Sequence, residues 1–85
     1  MSDRESLGVV KDPDRLEISW QGFDKRITNL KLPIKAKPDL AKIAAAMKKS
    51  GKSADFGWSL RGGKFKIEAQ VGSEALPIAS LDVDG

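Results

Sequence analysis

The chemistry open to this 85-residue chain is narrowed first by the side chains it lacks, because it contains no Cys, His or Tyr. Those absences remove disulfides and thiolate metal ligands, the commonest general base, and two covalent nucleophiles. Catalysis could then use only Ser, Thr, Lys or carboxylates, and no arrangement of these stands out. The chain is expected to be a non-enzyme, with no cofactor and no metal.

Two patterns imitate sites. Ala46 to Ser53, AMKKSGKS, fits a relaxed phosphate loop with Ala in place of the first Gly. A working loop of that kind opens a helix, so that backbone N–H groups face the phosphates. This one closes a predicted helix and would present carbonyl oxygens, so it reads as a lysine-rich helix end. The carboxylate pairs Asp12/Asp14 and Asp82/Asp84 suggest a cation site, and the second resembles the opening of a calcium loop. The remaining ligands of such a loop would fall after Gly85. Turn chemistry and a solvated tail account for both pairs.

Cations are the remaining candidates, and they are unevenly distributed. Residues 1–24 hold three basic and six acidic side chains, a net −3. Residues 25–66 hold twelve basic and two acidic, a net +10, and residues 67–85 hold four acidic and none basic. Lys48, Lys49 and Lys52 gather at the predicted helix end, and Arg61, Lys64 and Lys66 at a predicted hairpin tip. These six are the expected anion-binding residues, with Phe23, Lys25 and Arg26 as further contacts. Such a block predicts a polyanionic partner, nucleic acid first, bound through lysine–phosphate contacts. The alternative is a small protein-interaction or inhibitor module whose basic surface or edge strand docks on an acidic protein, or pairs with a second copy. No run approaches the roughly 18 apolar residues of a membrane span, and the charged N-terminus has no leader-like core. A soluble, cytoplasmic protein with no membrane partner is expected.

The elements that would position these residues follow from local patterns. Phe56 to Val71 reads as two alternating runs around Gly62-Gly63, a hairpin signal. Placing Arg61 opposite Lys64 pairs Leu60 with Phe65, Trp58 with Ile67 and Phe56 with Ala69. Apolar side chains then take one face, and Ser59, Arg61, Lys64, Lys66, Glu68 and Gln70 the other. Pro38 to Ser50 predicts a helix with Leu40, Ile43, Ala44 and Met47 as its stripe and Gly51 as its stop. Leu16, Ile18 and Trp20 alternate, as do Leu30, Leu32 and Ile34, which predicts a first hairpin of open register. Asp12-Pro13-Asp14 reads as a turn, and Gly72-Ser73-Glu74 as another. Trp20 and Trp58 are expected in the core.

The expected fold class is therefore α+β, an antiparallel sheet of two hairpins packed on one helix in the order β-β-α-β-β. Room remains for a further strand at either end, after Pro77 for the second. Residues 1–14 would be a flexible tail or a short edge strand, and residues 15–83 a single α+β domain.

Overall fold

The Gly62-Gly63 turn organises the sheet. Both glycines adopt positive φ, 58° and 76°, the mirror-image turn geometry whose twist matches that of the flanking strands. In the computed structural model, which describes residues 4–29 and 36–82, it joins β2 (Ala54–Arg61) to β3 (Lys64–Val71). The register runs from Arg61↔Lys64 through Leu60↔Phe65, Trp58↔Ile67 and Phe56↔Ala69 to Ala54↔Val71. Every apolar pair anticipated from the sequence is present.

A second two-residue turn, at Gly72-Ser73, leads into β4 (Glu74–Asp82). Pro77 lies within this edge strand, opposite Glu68 and beside a register shift. There its missing amide donor costs little. At the other edge β1 (Arg4–Val10) pairs antiparallel with β2, so the sheet order is β1-β2-β3-β4.

Two helices cover one face, and the fold is α+β with an all-antiparallel sheet. Among the described residues the element order is β-α-α-β-β-β, with a helix in place of the first strand of the expected first hairpin. The predicted strand at 15–20 is α1 (Leu16–Asn29). Leu16 and Trp20 are four residues apart, a spacing that satisfies the strand period and the helix period alike. Phe23 and Ile27 continue the helical one, and Leu16, Trp20 and Ile27 are buried with Phe23 packed against them. Ile18 decides between the two, because a strand would bury it with its neighbours whereas here it is 62% exposed.

The preceding Asp-Pro-Asp segment starts the helix. Asp12 Oδ1 accepts from the Asp14 amide at 2.9 Å, and a 3-10 turn at Pro13–Arg15 runs directly into α1. The partner strand expected through Leu30, Leu32 and Ile34 lies outside the described residues. Ile18→Gln is predicted to shift stability by no more than about 0.5 kcal/mol in urea unfolding, as for other exposed sites. A loss of several kcal/mol would restore the strand assignment.

Helix α2 (Leu40–Ser50) is capped at both ends by its own sequence. Asp39 accepts from the Lys42 amide at 3.1 Å, and Gly51, at φ 69°, returns its N–H to the Met47 carbonyl at 2.8 Å. Ile43 and Met47 are buried against the sheet, with Leu40 and Ala44 partly covered. Between helices and sheet lies one apolar cluster containing Leu7, Val10, Leu16, Trp20, Ile27, Ile43, Met47, Phe56, Phe65, Ile67, Val71 and Leu76. No helix is long and apolar enough to cross a membrane among the described residues.

Candidate nucleic-acid interface

Because the helices occupy one face of the sheet, the opposite face carries no second layer among the described residues. Cross-strand register puts four rows of side chains on that outer face, the one farthest from the hairpin tip being Val9, Asp55, Gln70 and Ala75. Arg61, Lys64 and Asp82 form the row nearest the hairpin tip. Arg4, Ser59, Lys66 and Ser80 form the next, followed by Ser6, Gly57, Glu68 and Pro77. Facing side chains on neighbouring strands stand about 5 Å apart and interact directly.

The charges on this face are only partly compensated. Arg4 lies flat across Gly57, where any Cβ would collide with its guanidinium. It reaches Glu68 Oε1 at 3.2 Å, Asp55 Oδ2 at 3.3 Å and the Asp55 carbonyl at 2.7 Å, and Ser6 donates to Asp55 Oδ1 at 3.0 Å. This network ties β1 to β2 and β3 and leaves the middle of the face with one carboxylate in excess of its single cation. No sequence signal pointed to it, since its members lie 51 and 64 positions apart. Towards the tip, Lys64 Nζ sits 3.9 Å from Asp82, both well exposed, a pairing worth well under 1 kcal/mol. Lys66 is exposed, and no ion pair engages it among the described residues. A shallow depression of about 470 Å³ runs beside it, lined by Lys64, Lys66, Glu68, Pro77 and Ser80 among others.

The second predicted cluster is elsewhere. Lys48, Lys49 and Lys52 are exposed at the C-terminal end of α2 and the loop after it. Lys52 packs beside Gly72, in the β3–β4 turn, so this cluster lies at the far end of the strands from Lys64. The length of β3 separates the two sets by about 24 Å at the usual rise per residue. One belongs to the helix layer and the other to the outer face, so they form two patches.

The AMKKSGKS segment ends α2 as expected for a helix terminus. Ser50 Oγ donates to the Ala46 carbonyl at 2.8 Å and accepts from the Lys52 amide at 3.2 Å. Its hydroxyl and backbone serve the helix end.

Phe23, expected beside exposed cations, packs inward. Its ring centroid is 5.1 Å from Phe56 and 6.5 Å from Trp20. Its place in the helical stripe of α1 was the overlooked signal. Arg26 donates to the Leu7 carbonyl at 2.7 Å and so fastens the irregular part of β1. Lys25 alone of this trio is an exposed cation that makes no side-chain hydrogen bond or ion pair among the described residues. Trp58 stacks on Phe65 at 5.4 Å, on the helix side of the sheet.

No cluster of three potential metal-ligating side chains exists among the described residues. Comparison with protein-family models, curated proteins and solved structures returns no match for this chain.

Proposed function

We propose that the chain is a non-enzymatic binding module that engages a polyanion, with nucleic acid as the first candidate. The observation carrying this reading is that Lys48, Lys49, Lys52 and Lys66 are all exposed and lack an ion-pair partner among the described residues. Four unpaired cations on an ordered scaffold attract any dense array of negative charge, and binding phosphates to them releases counterions. The two patches act as separate anchors, and a long polymer can touch both. A cytoplasmic setting agrees with this reading and with the cysteine-free composition.

The test is a titration on mixed-sequence DNA and RNA at 50 and 200 mM salt. Affinity is expected to fall at least about tenfold between those conditions. Each lysine that meets a phosphate should account for about 1 in the logarithmic salt slope. Replacing Lys48, Lys49 and Lys52 together by Ala should therefore reduce the slope by about 2–3. Absence of binding to either nucleic acid at 50 mM salt rejects the proposal.

A second reading, docking on an acidic protein, is favoured by the outer edge of β1, along which no further strand pairs among the described residues. That strand contains no proline and exposes Val9 at 55%. Strand addition there, by a partner or by a second copy, would leave the lysines to select the partner by charge. Capture of an acidic protein that survives nuclease treatment would favour it.

A further inference from the structure

Within that reading, we infer that the outer face of the sheet near the β2–β3 turn is a contact surface for the sugar–phosphate backbone of a double-stranded nucleic acid, centred on Lys66 between Ser59 and Ser80. The inference rests on the polyanion proposal and adds the form of the ligand and the residues that meet it.

Three observations carry it. First, register places Ser59 on β2 and Ser80 on β4 directly opposite Lys66, one on each side. Neither hydroxyl makes a side-chain hydrogen bond among the described residues, so a cation stands between two uncommitted donors. That combination suits a phosphate oxygen, which accepts from ammonium and hydroxyl groups alike. Lys64 lies two residues along the same face, with its charge partly offset by Asp82 at 3.9 Å, so Lys66 remains the principal cation.

Second, the chain's aromatic side chains number two Trp and three Phe, and all are committed to the core side. Trp20, Phe23 and Phe56 make one ring cluster, and Trp58 stacks on Phe65. None is on the outer face. Single-stranded nucleic acids are held largely by bases stacked on aromatic rings, which this surface cannot offer. A duplex keeps its bases stacked internally and presents backbone, at one negative charge per about 1.7 Å of axis.

Third, the strands fix these side chains in a shallow, solvent-open surface, with the helices on the opposite side. Nothing among the described residues covers Lys66 or Ser80, which are both exposed.

The deciding experiment measures affinity for a labelled 20-base-pair DNA duplex, the RNA duplex of the same sequence, and each isolated strand, at 50 mM salt. A duplex should bind at least about tenfold tighter than its strands, with AT-rich and GC-rich versions within about threefold of each other. Lys66→Ala should weaken duplex binding about tenfold and lower the salt slope by about 1. Ser59→Ala with Ser80→Ala should weaken it about threefold and leave the slope unchanged, since neutral donors release no counterions. Unchanged thermal melting of the variants shows that the surface alone was altered. Single strands bound as tightly as duplex, or a Lys66→Ala variant that binds duplex normally, would overturn this inference while leaving the polyanion proposal standing. Failure of all nucleic acids to bind overturns both.

Discussion

Phe56→Ala is expected to remove about 3–5 kcal/mol of stability, the loss typical of a large aromatic side chain deleted from a packed interior. Phe56 is fully buried, with its ring 5.1 Å from Phe23 and 6.0 Å from Trp20. It is the point at which α1 meets the centre of the sheet, so truncation leaves a hole that neither layer can close without shifting the other. A domain of this size has a total stability in the region of 5–15 kcal/mol, so the variant should lie close to unfolding. Urea denaturation measures this as a lower midpoint with an unchanged slope. A loss below about 1 kcal/mol would mean that α1 does not pack on β2 through these rings.

Gly8→Ala is expected to cost about 2–4 kcal/mol despite adding a single methyl group. Gly8 has φ 154°, a backbone conformation that L side chains rarely adopt. A Cβ there would stand 2.6 Å from Cε1 and 2.9 Å from Cζ of Phe23. The ring cannot retreat cheaply, because Phe56 and Trp20 are packed against it. Backbone strain and overpacking each contribute in the range of about 1–3 kcal/mol.

The geometry arises from an irregularity in β1, where the pairing steps from Ser6↔Gly57 to Gly8↔Phe56 and leaves Leu7 extra. Leu7 is buried, and its carbonyl is held by Arg26. Shrinking the ring first should relieve much of the clash, so Gly8→Ala should cost less in a Phe23→Ala background than in the natural one. Thermal or urea unfolding of the four-member cycle measures that coupling. Simple additivity would show that Phe23 does not limit the space at Gly8.

Both effects concern the same join between β1, α1 and β2, the part of the fold least evident in the amino-acid order. Leu16, Ile18 and Trp20 alternate as a strand does, and only the wider stripe through Phe23 and Ile27 identifies a helix. Its burial depends on a sheet whose strands lie far along the chain, and propensity over six residues carries no information about that partner. Arg4 illustrates the same limit, since its acceptors on Asp55 and Glu68 become neighbours only once β1 docks at the sheet edge.

Features closed within a few residues were determined by the chain alone. The Gly-Gly turn set the β2–β3 register, and with it which side chains face in and which face out. Asp39 and Gly51 set the ends of α2. Turn and cap geometry is local, so neighbouring residues specify it without help from the rest of the molecule. The tertiary structure decided that 16–29 is helical, that every aromatic ring is spent on the core, and that the lysines divide into two patches. Lys52 and Lys64 are twelve residues apart in sequence, yet the strand between them crosses the whole sheet and carries them to opposite ends. Charge counted along a sequence is blind to that separation, because the direction and span of a strand are set by the partners it pairs with.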